Sequence, residues 1–161
     1  MRGLSFTVGG ELYAVDVTLV QKVARKLAIT PVPSAPAEIT GVANLKGRVI
    51  TVLSLKKLLG LDTQNDPEHY VNTIIFKSWT NSEDQVGLAV EKPGNLIDIN
   101  TDAIRSRPLT VGTEGSFCIS GVTEIGDDFY RIIDIETIRK KYMPGGETNP
   151  GNSLYGGTEN D

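Results

Sequence analysis

The sequence predicts a mostly β protein, a small barrel or sandwich and not a chain of βαβ units. Three observations predict it. The 161 residues break into about nine or ten short apolar runs. Turn signals built on Gly, Pro, Asn and Asp recur every ~8–12 residues. Helical periodicity is brief wherever it occurs.

The elements follow in order. "LSFTVGGELYAVDV" alternates Leu4, Phe6 and Val8 against Ser5 and Thr7, breaks at Gly9-Gly10 and resumes from Leu12 to Val17. Glycine reaches the positive φ of a two-residue turn, so this is a tight hairpin. Thr18 and Gln21 have the spacing of a capping box. Val20, Val23 and Leu27 follow at helical spacing, so a short helical segment is expected there. "ITPVPSAPAEIT" carries Pro31, Pro33 and Pro36. Proline removes a ladder donor and pushes its predecessor towards extended geometry, so this stretch is a connector.

"GVANLKGRVITVLSL" is two apolar strands around a Lys-Gly turn. Ser54 caps a short helix with Leu55, Leu58 and Leu59 on its apolar face, ending at Gly60. "DTQNDPEHY" is a polar loop, "VNTIIFKSW" a strand and "TNSEDQ" a turn. "VGLAVEKPG" reads as a strand ending at Pro93-Gly94, and "NLIDINTDAIRSRPL" as a short strand with one helical turn. "FCISGVTEIGDDFYRIIDI" is a hairpin around Gly126-Asp127-Asp128. Asp134 then caps a last helix with Ile135, Ile138 and Tyr142 on one face. Lys56-Lys57 and Arg139-Lys140-Lys141 read as solvated helix faces. Beyond Met143, the Gly/Asn/Pro-rich run 144–161 has little to bury and is expected to be a flexible tail.

Composition narrows the function. Net charge is −4 and the sequence pI about 5.1. Nucleic-acid binders usually carry a basic patch and a pI above about 9, so no nucleic-acid partner is expected. The single Cys118 forms no internal bridge and suits a reducing, cytosolic setting. The start has no continuous apolar stretch of signal-peptide type, and "VITVLSL" is far short of the ~20 residues of a membrane span.

No catalytic constellation stands out. His69 is the lone histidine and sits in a polar loop. Cys118 alternates with Phe117 and Ile119 in an expected strand and reads as a small buried hydrophobe. Asp127-Asp128 occupy a turn, where Asp is favoured for local reasons. Zinc spacing and phosphate-binding glycine fingerprints do not occur, and the 6% of aromatic residues are too dispersed for a base-stacking platform. No cofactor, no metal and no enzymatic activity are expected. What remains is surface, and small β modules bind other proteins through strand edges and apolar grooves.

The order of four segments resembles the CheW family of bacterial chemotaxis coupling proteins. They are "FTVGGELYAVDVTLVQKV", "ITPVPSAPAEITGVANLKGRVITVLSLKKLLGL", "VGLAVEKPGNLIDI" and "SGVTEIGDDFYRIIDIETI". The likeness runs from about Leu4 to Tyr142, and its most specific part is the "PxxPxxITGVxNLxGxV" core. It implies two intertwined five-stranded barrels like SH3 domains, with short helices, over a shared apolar core. Residues 1–143 would form that module, with subdomain junctions near 14–16 and 79–86.

The resemblance also implies an adaptor without catalysis. Its partners would be the regulatory domain of a chemotaxis histidine kinase and the cytoplasmic tips of methyl-accepting chemoreceptors. The protein would be cytoplasmic and would join membrane-associated arrays through those partners. A receptor groove is placed at Val20, Lys22, Val23, Gly41, Val42, Lys46, Val86 and Gly87. Kinase contacts are placed at Ile97, Ile99, Gly121 and Val122. The chain departs from the family pattern at several positions. Lys46 stands where arginine is usual, Lys22 where glutamate is frequent, and Thr51 and Ser54 where proline and aspartate are familiar. A lysine is a point charge where arginine is a planar fork. Lys22 either reverses the sign of a contact or lies at a rim where charge is worth little. Two other readings fit the sequence: the same module in a non-flagellar receptor–kinase pathway such as twitching motility, and a small-molecule-binding barrel.

Overall fold

The computed structural model describes residues 1–61, 70–78, 84–106 and 116–143. His69 of the expected polar loop, Trp79 at the end of an expected strand, residues 80–83 of the expected turn, residues 107–115 and the expected tail 144–161 lie outside them.

Among the described residues, eleven strands build two sheets. β1 (Arg2–Val8) and β2 (Glu11–Asp16) form the first hairpin. Gly9 and Gly10 at its tip have φ +61° and +79°, as a two-residue turn requires. Then come β3 (Val20–Ala28), β4 (Ile39–Leu45), β5 (Arg48–Ser54) and the one-turn helix α1 (Leu55–Leu58). β6 (Tyr70–Phe76), β7 (Gln85–Val90), β8 (Lys92–Asp98) and β9 (Arg105–Ser106) follow. β10 (Ile119–Ile125), β11 (Asp128–Ile133) and α2 (Ile135–Tyr142) complete the described chain.

The first sheet has the order β8-β1-β2-β11-β10-β9 and the second β3-β6-β7-β5-β4. Each holds one parallel pair, β2 with β11 and β5 with β7, among antiparallel ones. Sheet membership changes at 17–19 and again at Glu91.

The main core lies between the sheets. Phe6 and Val15 meet Leu53, Phe76 and Leu88 there, with Leu55 of α1 and Ile135 and Ile138 of α2. The reverse face of the second sheet closes on Ile50, Val52, Ile75 and Ala89, and that of the first on Ala14, Ile99 and Ile132. Each sheet is therefore apolar on both faces. All six residues of β7, a central strand, are buried for this reason.

Both expected helix caps are present. Ser54 Oγ accepts from the Lys57 amide at 3.3 Å, and Asp134 Oδ1 accepts from the Thr137 amide at 3.2 Å. Gly60, with φ +72°, ends α1.

Four expectations require correction. The segment Val20 to Leu27 is strand β3, not a helix, and Asp16, not Thr18, caps the short 3₁₀ turn before it. Two bulges in β3, between Val20 and Lys22 and between Ala24 and Leu27, stretch the apolar spacing from two residues to three. That imitates a helical repeat. Pro93-Gly94 does not end a strand but lies inside β8. β8 is an edge strand, where a missing N–H is tolerated. At Gly94 a Cβ would stand 2.4 Å from Ser5 Oγ, which bonds both the amide and the carbonyl of Asn95. Cys118 is fully buried as expected, but in a 3₁₀ turn rather than a strand. Arg139 is not solvated: it is buried and donates to the Lys77 carbonyl at 2.9 Å and to Glu136 at 3.3 Å.

Candidate functional site

The β4–β5 hairpin is a two-residue turn. Lys46 and Gly47 have φ +53° and +82°, and Asn44 Oδ1 accepts from the Gly47 amide at 3.0 Å. This geometry pushes Lys46 into solvent at the tip. Arg48 and Val49 follow it, and Val49 is 61% exposed, unusual for a valine in a strand. Sequence reasoning missed both. The signal was available, since Val49 falls on the polar parity of the strand, opposite Ile50.

Arg48 leads into a polar cluster at one end of the second sheet. Its Nη1 donates to Ser78 Oγ at 3.3 Å and lies 3.5 Å from Gln85 Oε1. Gln85 is buried and donates to the Phe76 carbonyl at 3.2 Å and to Gln21 Oε1. A buried amide needs such partners, and here they tie β3, β5, β6 and β7 together.

The residues expected at the receptor groove come together on the second sheet. Lys22, Ile75, Gly87, Val52 and Gly41 lie on one row across the five strands, and Val42, Thr51 and Val86 on the next. They do not share one exposure. Lys22 and Lys46 are exposed, and Val20, Val23 and Val42 are half-buried. Val86 is 1% exposed and belongs to the main core. At Gly87 a Cβ would stand 2.6 Å from Thr73 Cγ2, so its missing side chain serves internal packing. At Gly41 (φ +156°) a Cβ would stand 2.3 Å from the Thr30 carbonyl oxygen. Thr30 and Val42 exchange two backbone hydrogen bonds of 2.8 Å there, joining the β3 connector to β4.

The residues expected to touch a kinase separate likewise. Ile99 is buried among Ala14 and Ile132, with Ile97 half-buried beside them. Gly121 is buried against Ile104 and Arg105. Val122 lines an open cleft of about 430 Å³, with Leu12, Asp127, Asp128, Phe129 and Arg131 around it. Phe129 is 56% exposed there. Arg131 pairs with Glu11 at 3.1 Å and lies 5.9 Å from the Tyr13 ring centroid.

Perturbed acidities are structural in origin. Burial pushes the Tyr13 and Tyr142 hydroxyls above the usual phenol range and lowers Arg139 below the usual guanidinium range. Among the described residues, no three His, Cys, Asp or Glu side chains converge to hold a metal ion. No helix among them is long and apolar enough to cross a membrane. The arrangement offers contacts to another macromolecule: a charged hairpin tip, an exposed basic strand and an acidic cleft.

Comparison with known proteins agrees in kind. The model of the CheW-like domain matches residues 2–141. The chain is 30% identical over 139 residues to the chemotaxis protein CheW of Bacillus subtilis, covering 84% of this chain and 85% of that one. It is 43% identical over 101 residues to the CheW of Thermotoga maritima, covering 63% of this chain and 64% of the relative. The crystal structure of the scaffolding protein TtCheW from Thermoanaerobacter tengcongensis superposes with a TM-score of 0.70 at 27% identity, covering 82% of this chain and 87% of that one. The paired sheets, the hairpin bearing Lys46 and this match along nearly the whole described chain place the protein in the CheW-like domain family.

Proposed function

We propose that the protein is a noncatalytic chemotaxis adaptor coupling methyl-accepting chemoreceptors to the regulatory domain of a histidine kinase. The observation that carries this reading is the match to chemotaxis CheW proteins over both sheets, so that the whole two-sheet module is kept and not one isolated motif. It works in the cytoplasm and reaches the membrane through its partners. Residues 1–143 act as one module.

The receptor side is the second sheet. Lys46 at the hairpin tip supplies a cation to a carboxylate or backbone carbonyls. Val20, Val23 and Val42 supply half-buried apolar contact. Val86, Gly41 and Gly87 hold the backbone beneath this surface. The kinase side is the first sheet, where Val122 meets solvent at the cleft and Ile97, Ile99 and Gly121 support it. Each contact is modest, and repetition in an array raises effective concentration.

Titrating the purified protein against a kinase regulatory domain and against a receptor-tip fragment tests the reading. Binding to the kinase in the micromolar range, about −8 kcal/mol, is expected. Lys46→Glu should abolish receptor binding while leaving the melting curve unchanged, because Lys46 is exposed and makes no ion pair among the described residues. Normal receptor binding by that variant refutes the placement of the groove.

A further inference from the structure

β3 carries Lys22, Arg25 and Lys26, all exposed, and no acid. Between Val17 and Val90 the only described acids are Glu38 and Asp84, and Lys or Arg outnumber them severalfold. Among the described residues, positive charge is thus concentrated on the second sheet, whose strands carry no acid. The ion pairs of the described residues are Arg2–Asp98, Lys56–Glu91, Arg131–Glu11 and Arg139–Glu136. None of them engages the three cations of β3. A surface of like charges without counter-charges is a standing repulsion that an anionic partner would relieve.

The backbone presents these cations in a specified way. The second bulge places Arg25 and Lys26 between the pairs Ala24–Thr73 and Leu27–Val71, facing Asn72. Lys26 has φ +53°, a left-handed conformation that a lysine adopts only when its surroundings hold it there. Asn72 does so: its Oδ1 accepts from the Lys26 amide at 3.1 Å, and its Nδ2 donates to the Glu91 carbonyl at 3.0 Å. Bulges re-aim side chains at working surfaces. Beside the cations, Val20, Val23, Ala24 and Leu27 are half-buried. β3 is also an edge of its sheet. The strand therefore offers one cation at Lys22 and a basic pair at Arg25-Lys26, separated by the small apolar step Val23-Ala24.

We propose that β3 docks a carboxylate-rich segment of a protein partner, and that Lys22, Arg25 and the bulged Lys26 set which receptors this adaptor accepts. The inference rests on the receptor-groove reading above and adds the chemistry of the partner: acidic side chains flanking a short apolar contact. Rim cations of this kind act mainly through association rate and partner choice.

The test measures binding of a soluble chemoreceptor-tip fragment from the same genome, with the kinase regulatory domain as second ligand. The unmodified protein should bind the tip, and more weakly as salt rises from about 0.1 M to about 1 M, where the screening length falls from about 10 Å to about 3 Å. Lys22→Glu/Arg25→Glu should raise the Kd for the tip about tenfold or more and flatten its salt dependence. Binding of the kinase domain should not change. Lys22→Gln/Arg25→Gln, which removes charge without reversing it, should give a smaller shift in the same direction and guards against misfolding of the double reversal. If the tip binds and both variants match the unmodified protein in Kd and salt dependence, the basic-strand inference is overturned while the adaptor reading stands. If the unmodified protein binds the kinase domain but not the tip, the groove reading fails and the inference with it. Salt-sensitive binding to duplex DNA in place of the tip would overturn both.

Discussion

Replacing Gly41 by alanine should destabilise the protein by about 3 kcal/mol. The methyl would stand 2.3 Å from the Thr30 carbonyl oxygen and 2.7 Å from Ile29 Cγ2. Ordinary contact needs roughly 1 Å more. Thr30 cannot withdraw cheaply, because its amide and carbonyl are both bonded to Val42 at 2.8 Å. Admitting the methyl loosens these two bonds, forfeiting about 1 kcal/mol of their combined net worth of about 2 kcal/mol, and adds mid-range overpacking of about 2 kcal/mol. For a chain of this size the sum lowers Tm by about 6–12 °C. Gly47→Ala is the control. Gly47 has φ +82° with nothing within 4 Å of the missing Cβ, so only backbone strain of about 1–2 kcal/mol applies. Urea unfolding of both variants, followed by circular dichroism with m held against the unmodified protein, separates steric from torsional cost. If Gly41→Ala is no less stable than Gly47→Ala, the close approach of Thr30 is not what fixes glycine at this position.

Further outcomes follow from other buried groups. Arg139→Met should cost about 2 kcal/mol in urea unfolding, because the Lys77 carbonyl loses a charged donor inside the protein. Arg139→Lys should recover only part of it, since a point charge cannot serve Lys77 and Glu136 as the guanidinium fork does. Stability should also fall at high pH. The Tyr13 hydroxyl is held above its usual 10.0 by burial, so the unfolded chain loses this proton first as pH rises. The stabilisation is complete below about pH 10 and declines as pH climbs through the raised folded value. Tyr13→Phe should make unfolding less steeply dependent on pH above 10, and an unchanged slope would assign the alkaline loss to other groups.

The hairpin tips at Gly9-Gly10, Lys46-Gly47 and Gly126-Asp127 were legible because turn chemistry is local, and so were the caps Ser54 and Asp134. Segment β3 was misread because its irregularity is not local. Its two bulges answer to β6, some fifty residues away, and they space Val20, Val23 and Leu27 as a helix would. Arg139 was misread for a similar reason. Its helix position suits a solvated cation, and only the approach of Lys77 from the second sheet buries it. At the candidate surface, the strand run that carries Gly41, Val42 and Lys46 was visible in sequence. The burial of Val86 was not, because alternation alone does not reveal that β7 is covered on both sides. The basic character of β3 was present in the letters Lys22, Arg25 and Lys26, yet assigning them to a helix scattered them around an axis.

The order in which the chain leaves a ribosome bears on how these sheets arise. All strands of the second sheet come from one uninterrupted stretch, Val20 to Val90, whereas the first sheet draws on both ends of the sequence. β1 and β2 are made first but must wait, β1 for β8 and β2 for β11, the last strand synthesised. Until then Phe6 and Tyr13, stacked at 5.8 Å in the finished protein, belong to a hairpin without its sheet. Nascent chains stalled before Asp128 should therefore hold a formed second sheet and a sticky, protease-sensitive amino-terminal ribbon, making this the stretch of biosynthesis most in need of a chaperone.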